Sequence, residues 1–349
     1  MADPNKVERR NTGSLSRNST RSPSLGRQRK VETPLISEFH LIKTIGHGTY
    51  GRVVQAYHKG TGKYYAIKIM SKQKIYDSKH IRNLLNEKNI MSALRFEFIT
   101  PLKLFFQDNS YLYFVLPFLP GGDLYFHLKR FMKFPEPLAK FYICQLVLAL
   151  EYLHSLDLVH RDVKPENIIL DVEGFIKLTD FGFCKQVLGR TYTICGTPEY
   201  LAPELLSGKG YGKAVDWWSM GVMLFELVHG LTPFVQSDVE ATYAQIQTGE
   251  YTMPSHFSVD LQDLINRLLQ SQPSKRIGNY KRGAKDIKNH PFFNEIVWRD
   301  ILTKNVVPPY RPYLKNPNDT SYFNTFDKEE PVYIAATNKF GDYFNDFDS

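Results

Sequence analysis

Two short segments of the chain place charged and amide side chains at close spacing. They are H-R-D-V-K-P-E-N (160–167) and D-F-G (180–182). Asp162 offers a proton acceptor and Lys164 a cation, and Asn167 and Asp180 offer oxygen ligands. Mg²⁺ prefers such oxygens, and transfer of a phosphoryl group needs a base, charge neutralisation and this metal. The two segments therefore predict a magnesium-dependent phosphoryl-transfer site.

A glycine-rich motif, G-H-G-T-Y-G (46–51), matches a phosphate-binding pattern. The motif is weak by itself, and in a dinucleotide-binding fold a helix would follow it. Here R-V-V-Q-A-Y follows, which is typical of a β-strand. We therefore predict a turn between two strands whose backbone N–H groups approach phosphate oxygens. An ordinary glycine-rich hairpin is the alternative.

A buried ion pair is predicted between Lys68 and Glu87. Alternation along the strand Tyr64–Met70 places Lys68 on a face that should be buried, where a cation needs an anionic partner. Glu87 lies on the apolar stripe of a helix predicted over Ser78–Leu94. Either residue alone would more often be a surface charge, but together with the glycine-rich motif a pair is favoured.

Composition indicates a soluble intracellular protein. The 349 residues suit one large domain or two lobes, and the three cysteines are too widely spaced for a disulfide framework. Residues 1–34 hold +5 of the +8 net charge, so the remaining chain is only mildly basic. That Arg/Ser-rich segment is predicted to be disordered. No signal peptide or membrane-spanning stretch is recognised, so we expect the cytoplasm, with the nucleus as a second location.

The order of strand and helix patterns predicts an α+β fold with two lobes. A small antiparallel-sheet lobe with one helix is expected over residues 35–116, and a hinge over 117–121. A larger, mostly helical lobe follows over 122–293. Within it, Ala214–His229 is apolar nearly all round, which predicts a buried helix. Residues 294–349 form a C-terminal tail.

Taken together and in this order, the motifs resemble those of eukaryotic protein kinases, and A-P-E (202–204) completes the set. Lys164 lies two residues after Asp162, and a lysine at this position resembles the serine/threonine type of kinase. The stretches at 152–158, 189–204 and 213–218 and the terminal F-x-x-F are similar to the AGC group, and within it to cyclic-AMP-dependent kinases. The resemblance implies the bilobal kinase fold, with a tail that crosses both lobes.

The resemblance also implies roles for individual residues. Lys68, held by Glu87, would contact phosphates, Asp162 would act as the base, and Lys164 would stabilise the transferring group. Asn167 and Asp180 would bind Mg²⁺. ATP would be bound by the glycine-rich motif, the adenine pocket, the hinge and the tail, through Gly46, Gly48, Thr49, Tyr50, Gly51, Val53, Ala66, Lys68, Leu116 (the gatekeeper), Pro117, Leu119, Asp123 and Phe323.

Protein substrates with Arg before the target Ser or Thr are expected. The implied Arg-binding carboxylates are Asp123, Glu166, Glu199 and Glu226, and the implied apolar pocket is Ile194, Pro198 and Leu201. Thr193 would be phosphorylated and would pair with Arg161 and Lys185. Phe344 and Phe347 would dock beside the Glu87 helix. A cyclic-nucleotide-binding regulatory subunit is a candidate partner, whereas nucleic acid and a membrane anchor are not expected.

Several residues depart from the family pattern. Pro117 replaces a hinge Glu but keeps the carbonyl, and Asn83 replaces a helix His that would contact the loop phosphate. Tyr333 stands where a tail phosphoserine is expected, so Thr337 could substitute. Tyr192 replaces a Trp that grips the regulatory subunit, which weakens the inference of that partner.

Three alternatives to this reading differ in class. Another AGC kinase, without cyclic-nucleotide control, is the nearest. A pseudokinase scaffold is disfavoured because Lys68, Glu87, Asp162, Asn167 and Asp180 are all present. Nucleic-acid binding is suggested only by the pI of about 9.1, and the charge sits in a segment without interleaved aromatics.

The segments R-R-N-T (9–12) and R-N-S (17–19) resemble the expected substrate sequence of the kinase itself, which predicts autophosphorylation at Thr12 or Ser19. Such matches arise easily in an Arg/Ser-rich segment.

Overall fold

The computed structural model describes residues 36–326, 332 and 334–347. The segment 1–34, with Thr12 and Ser19, lies outside these residues, and so does Tyr333. A five-stranded antiparallel sheet opens the described part, in the order β1-β2-β3-β5-β4. Its strands are β1 (Phe39–Gly48), β2 (Gly51–His58), β3 (Lys63–Ser71), β4 (Leu104–Gln107) and β5 (Tyr111–Pro117).

The glycine-rich motif forms the tight turn between β1 and β2. Gly48 pairs with Gly51, which leaves Thr49 and Tyr50 at the tip. A Cβ on Gly51 would lie 1.9 Å from the carbonyl oxygen of Ile69 on β3, so only glycine fits at this close approach. The turn between strands that the sequence predicts is therefore present, and its base is held against β3.

Two helices stand where the sequence predicts one over Ser78–Leu94. They are α1 (Lys72–Asp77) and α2 (Ile81–Ala93). The predicted start at Ser78 was wrong because its hydroxyl donates to the carbonyls of Lys74 (2.8 Å) and Ile75 (3.0 Å), closing α1. Lys79 then takes a φ of 59°, in the left-handed region, which separates the helices.

Helices dominate the rest of the chain. They are α3 (Leu124–Phe131), α4 (Glu136–Ser155), α5 (Pro203–Leu206), α6 (Ala214–His229), α7 (Val239–Thr248), α8 (Val259–Leu268), α9 (Ala284–Lys288), α10 (Trp298–Leu302) and α11 (Gly341–Phe344). Every residue of α6 from Ala214 to Val228 is buried, as its apolar sequence predicts. Gly230, at a φ of 97°, ends this helix. None of the helices in the described ranges is long and apolar enough to cross a membrane.

Two small strand pairs hold the segments that carry polar motifs. The pairs are β6 (Leu158–Val159) with β9 (Lys185–Gln186), and β7 (Ile168–Leu170) with β8 (Ile176–Leu178). The motif at 160–167 lies between β6 and β7, and the motif at 180–182 lies between β8 and β9. The antiparallel pairing therefore brings the two motifs side by side.

The C-terminal tail contacts both the helical part and the sheet. Tyr310 packs edge-on against His127 of α3, with ring centroids 5.3 Å apart. Farther along, the carbonyl of Asn318 accepts a hydrogen bond from Gln55 of β2 at 2.9 Å. The tail ends in α11 and a 3-10 turn, Asn345–Phe347, which packs against α2. The tail therefore crosses from one lobe to the other.

Candidate active site

Lys68 lies between two carboxylates. Its Nζ donates to Glu87 Oε1 on α2 at 2.7 Å and lies 3.6 Å from Asp180 Oδ1. Desolvation disfavours the charged ammonium, but the two carboxylates outweigh it and raise the pKa of Lys68 above its ordinary value. Chiefly because of the Lys68 charge, the pKa of Asp180 is lowered. Lys68 and Asp180 are therefore both charged, and the Lys68 ammonium is directed toward the space beside Asp180.

Asp162 is fixed by hydrogen bonds to both of its oxygens. Oδ1 accepts from the backbone N–H (3.1 Å) and the hydroxyl (2.9 Å) of Thr197. Oδ2 accepts from Asn167 Nδ2 at 2.9 Å and lies 3.1 Å from Lys164 Nζ. Lys164 also donates to the Thr197 hydroxyl at 2.6 Å. A base and a cation are thus held together before any substrate binds.

Asp216 holds the backbone of the segment that carries Asp162. Its buried carboxylate accepts from the N–H groups of His160 (3.0 Å) and Arg161 (2.8 Å). A third bond joins it to His154 at 2.8 Å. Arg161 has a φ of 70°, which is costly for a residue other than glycine, and these bonds offset that cost. Asp216 belongs to the stretch at 213–218, which is part of the resemblance to the kinase family. The sequence did not predict that Asp216 holds this backbone.

The donor set beside Lys68 fits a magnesium ion. Among the described residues, the Asn167 side chain bonds only through Nδ2, to the carbonyl and carboxylate of Asp162, so its Oδ1 is available as a ligand. Asp180 adds a carboxylate whose side chain is 46% exposed. No cluster of three or more His, Cys, Asp or Glu suited to a metal occurs within the described ranges. Mg²⁺ typically takes one or two protein oxygens and completes its shell with phosphates and water.

The residues predicted to bind adenine lie on adjacent strands. Ala66 of β3 pairs with Leu116 of β5, and Val53 of β2 pairs with Lys68 of β3. Pro117 ends β5, so the predicted hinge begins at the end of the sheet. The geometry brings these side chains to one region of the small lobe, next to the Lys68 ammonium.

Two tail aromatics lie close to this region. Phe323 stacks on Phe118 of the predicted hinge, with ring centroids 5.7 Å apart. Phe326 packs edge-on against His47 of the glycine-rich turn, at 4.6 Å. The second contact was not anticipated from the sequence, because nothing in the spacing of the tail indicates which aromatic reaches the turn.

Three of the four predicted Arg-binding carboxylates line one cavity. The cavity measures about 520 Å³, and Glu166, Glu199 and Glu226 contribute to its walls. Glu226 accepts from the Tyr200 hydroxyl at 2.5 Å, and Glu199 accepts from Thr232 at 3.2 Å.

These carboxylates are held close together in a partly buried site. Among the described residues, Glu166 Oε2 is buried without a hydrogen-bond partner. Burial, reinforced by the charges of Glu166 and Glu199, raises the pKa of Glu226 to about 7. Burial likewise raises the pKa of Glu166. Such a site favours a cation that can satisfy several oxygens at once.

Asp123, the fourth predicted carboxylate, lies outside the lining of this cavity. Its Oδ1 caps α3 by accepting from the N–H of Phe126 at 2.7 Å. Burial is the main reason that the pKa of Asp123 rises to about 6, and the charge of Glu166 contributes. One oxygen of Asp123 therefore has a structural task, and Oδ2 is left for the predicted contacts.

The residues of the predicted apolar pocket differ in exposure. Ile194 is 58% exposed, whereas Leu201 is 4% exposed and contributes to the core. Pro198 opens the 3-10 turn Pro198–Tyr200 between them. Thr197, Glu199 and Tyr200, which line the acidic cavity, lie within the same stretch of chain, so the predicted apolar pocket and the acidic cavity are close in sequence.

The surroundings of Thr193 contain both predicted cations. Thr193 is exposed, and its carbonyl accepts from the Tyr211 hydroxyl at 2.5 Å. Arg161 Nη1 donates to that same hydroxyl at 3.1 Å, and Lys185 Nζ donates to Thr191 at 3.0 Å. Neither cation contacts the Thr193 side chain in this form of the chain.

Asn86, and not the Asn83 singled out in the sequence, bonds α2 to the segment after D-F-G. Asn83 on α2 is exposed. Asn86, one turn farther along, donates from Nδ2 to the carbonyl of Cys184 at 3.0 Å. The helix is therefore joined to the segment after D-F-G by a neutral amide. Nothing in the sequence distinguishes Asn86 from the other polar residues of α2.

Phe344 and Phe347 are fully buried in the core of the small lobe. Phe347 stacks on Phe114 of β5, with centroids 5.8 Å apart and planes 4° apart. The carbonyl of Phe344 accepts from Gln107 Nε2 at 3.0 Å, and Lys88 of α2 donates to the carbonyl of Asp346 at 3.4 Å. The tail is thereby packed against the helix that carries Glu87.

Comparisons with known proteins agree with this architecture. Residues 39–293 match the family described as "Protein kinase domain". A cAMP-dependent protein kinase catalytic subunit from Dictyostelium discoideum is 42% identical over 316 residues, which span 89% of this chain and 49% of that protein. The cAMP-dependent protein kinase type 3 of Saccharomyces cerevisiae is 39% identical over 352 residues, spanning 99% of this chain and 88% of that protein. The chain belongs to the protein kinase family, which confirms the predicted family and fold class.

The relatives also define the subgroup. The serine/threonine-protein kinase YPK1 of Saccharomyces cerevisiae is 44% identical over 301 residues, spanning 85% of this chain and 44% of that protein. The chain is a serine/threonine protein kinase of the AGC type. It spans about half the length of the Dictyostelium relative and less of YPK1. Overall identity is similar for relatives with and without cAMP in their names, so it does not choose between them.

Proposed function

We propose that this kinase transfers the γ-phosphoryl group of ATP to Ser or Thr in protein sites that carry Arg at the second and third positions before the target. The observation that supports this most is the cavity of about 520 Å³ walled by Glu166, Glu199 and Glu226. A guanidinium has five N–H donors in a fixed fork and binds paired carboxylates well. The unpartnered Glu166 Oε2, judged over the described residues, is a suitable acceptor.

The charged residues divide the reaction among themselves. When bound, Mg·ATP supplies the phosphoryl group and the metal charge, with Asn167 and Asp180 as the protein ligands. Lys68 neutralises phosphate charge from its place beside Asp180. Asp162 orients the acceptor hydroxyl and takes its proton, because its carboxylate is fixed by Thr197 and Asn167. Lys164, 3.1 Å from that carboxylate, is placed to stabilise charge on the transferring group.

A positional peptide array with purified enzyme and ATP tests the proposed substrate. The expected profile favours Arg at the second and third positions before the target and an apolar residue after it, near Ile194. Transfer should occur to Ser and Thr and not to Tyr. A profile that favours acidic residues before the target would overturn the proposed recognition, while leaving the assignment as a kinase intact.

Regulation by a cyclic-nucleotide-controlled partner is a second part of the proposal. It is supported by the names of two relatives, both cAMP-dependent protein kinases. A regulatory subunit of such a kinase should inhibit the peptide assay, and cyclic nucleotide should restore activity. Unchanged activity in the presence of excess subunit would favour an AGC kinase under other control.

Phosphorylation of Thr193 is proposed as the activating modification. A phosphate on this exposed side chain would attract Arg161 and Lys185, which now bond to Tyr211 and Thr191. Because the neutral Asn83 of α2 stands where a cationic His would contact the phosphate, the link from the phosphate to the helix would be weak. Intact-mass and peptide analysis of active enzyme should find phosphate on Thr193. Full activity with unmodified Thr193 would contradict the proposal.

A further inference from the structure

The tip of the glycine-rich turn is bonded to the start of the Glu87 helix. The Tyr50 hydroxyl lies 2.5 Å from His80 Nδ1, and the two rings are 5.8 Å apart in an edge arrangement. His80 is the N-cap residue of α2, and its own carbonyl accepts from the N–H of Leu84 at 3.1 Å. No side chain caps this end of α2. The start of the helix is instead bonded, through His80, to the tip of the glycine-rich turn.

Tyr50 is anchored on its other side as well. Its carbonyl accepts from the N–H of Ser71 at 3.0 Å, where β3 meets α1. Its ring packs against the main hydrophobic core, and it lies close enough to Lys68 and Glu87 for their charges to act on it. Burial raises the pKa of Tyr50, so the phenol keeps its proton and can donate to the imidazole. Tyr50 therefore joins three elements that must agree in position: the turn, β3 and α2.

We propose that Tyr50 and His80 form a latch that couples the closed position of the glycine-rich turn to the position of α2 in which Glu87 reaches Lys68. Both are positioning residues, since they act through the turn and through Glu87. Nucleotide held under the turn would stabilise the helix, and a correctly placed helix would stabilise the closed turn. This inference rests on the proposed ATP-dependent activity.

Four single substitutions, one of them a control, and one combined variant separate the hydrogen bond from the packing of the rings. Tyr50→Phe keeps the ring and removes the hydroxyl, while His80→Ala removes the acceptor. His80→Gln offers an amide oxygen in its place and should restore the bond. His40→Ala, an exposed histidine on β1, is the matched control. The combination of Tyr50→Phe with His80→Ala tests whether the two residues act through one bond.

The first readout uses the nucleotide-free protein. Loss of a neutral hydrogen bond should raise hydrogen–deuterium exchange in residues 46–51 and in the first turn of α2 about twofold to tenfold. Tyr50→Phe and His80→Ala should match each other, and the combined variant should exchange no faster than either. His80→Gln and His40→Ala should resemble the unmodified chain. Exchange that rises in only one of the two regions, or that adds in the combined variant, would overturn the latch.

The second readout separates nucleotide from peptide. The KM for ATP should rise about twofold to tenfold in Tyr50→Phe and His80→Ala, with the KM for peptide nearly unchanged, and His80→Gln should recover most of the loss. An unaltered KM for ATP in both variants would overturn the proposal. If the unmodified chain transfers no phosphate, the proposed function fails instead, and the exchange measurement still decides whether the latch exists.

Discussion

The cluster around Asp162 and the acidic cavity are joined through one segment, Thr197–Tyr200, yet they are built in opposite ways. In the cluster, both oxygens of Asp162 are bonded, and the charge is compensated by Lys164. In the cavity, three carboxylates lie together, Glu166 Oε2 has no hydrogen-bond partner among the described residues, and the pKa of Glu226 is raised to about 7 by burial and by its acidic neighbours. Asp162 is therefore organised in advance, whereas Glu226 in the proposed recognition site is only partly ionised near neutral pH.

The difference follows from what each region must do. A base that must meet a hydroxyl at one distance benefits from fixed geometry, because reorganisation during reaction would add to the barrier. A recognition site discriminates better when it is costly to leave empty, since an unpaired buried group penalises every substrate that lacks Arg. The comparison leads to four predictions, taken from the largest expected effect to the smallest.

The catalytic side is broken most directly by Asp162→Asn. The amide keeps the shape and some of the bonds to Thr197 but cannot accept the proton, so kcat should fall about 10²- to 10⁴-fold. Nucleotide affinity, measured by fluorescence titration with Mg·ATP, should change little, since Asn167 and Asp180 remain. Near-normal turnover by this variant would show that the fixed carboxylate is not the base.

The tail supports the catalytic side from outside. Phe344→Ala with Phe347→Ala empties two fully buried positions beside α2, and each such truncation typically costs about 3–5 kcal/mol of folding stability. The melting temperature and kcat should both fall, with peptides that contain or lack Arg affected equally. Tyr343→Ala, a half-exposed neighbour, is the control. An unchanged melting temperature together with full activity would contradict tail docking.

The recognition side is broken by Glu226→Gln. A charged hydrogen bond contributes about 1.5–3 kcal/mol, so the KM for an Arg-containing peptide should rise tens-fold while kcat changes little. Tyr200→Phe is the matched variant, because it removes the 2.5 Å bond to Glu226 and leaves the carboxylate in place. Its KM should change much less. Equal effects on peptides with and without the nearer Arg would argue for a structural role of Glu226.

The smallest expected effect is the pH dependence of the KM for the Arg peptide, which tests whether Glu226 must be ionised to bind it. Because the pKa of free Glu226 is about 7 and a guanidinium binds only the ionised carboxylate, binding should strengthen as the pH rises through that value. The KM for the Arg peptide should fall by about tenfold at most between pH 6 and pH 8. A peptide without the nearer Arg, or the variant Glu226→Gln, should show a much flatter profile. A KM that rises with pH would contradict the assignment.

The sequence predicted best what local patterns control. The apolar stretch Ala214–His229 predicted a buried helix with the observed bounds, because burial on all sides leaves no ambiguity of face. The predicted start of this helix at Ser78 was wrong because Lys79 leaves the helical region. No glycine or proline in the sequence indicates this break. Pairing of Lys68 with Glu87 could be anticipated, since each lies on a face predicted to be buried.

The partners that fix the site could not be predicted in the same way. Thr197, Tyr200 and Asp216 act through hydrogen bonds between segments far apart in the chain. Their residue types are common on surfaces, so only the fold shows that they touch Asp162, Glu226 and the backbone of Arg161. That Asn86, and not Asn83, bonds to the carbonyl of Cys184 likewise depends on which face α2 turns toward that segment.

Proton release on substrate binding tests the contrast between the two regions most directly. An Arg-containing peptide whose target Ser is replaced by Ala would be titrated calorimetrically into the enzyme at pH 7, in buffers of different ionisation enthalpy. Since the pKa of Glu226 is about 7, about half a proton should leave that carboxyl as the guanidinium binds, with a further small release from Asp123. Glu226→Gln should remove most of this release. Binding without any proton release, or an equal release from Glu226→Gln, would contradict a recognition site that gains its charge on binding.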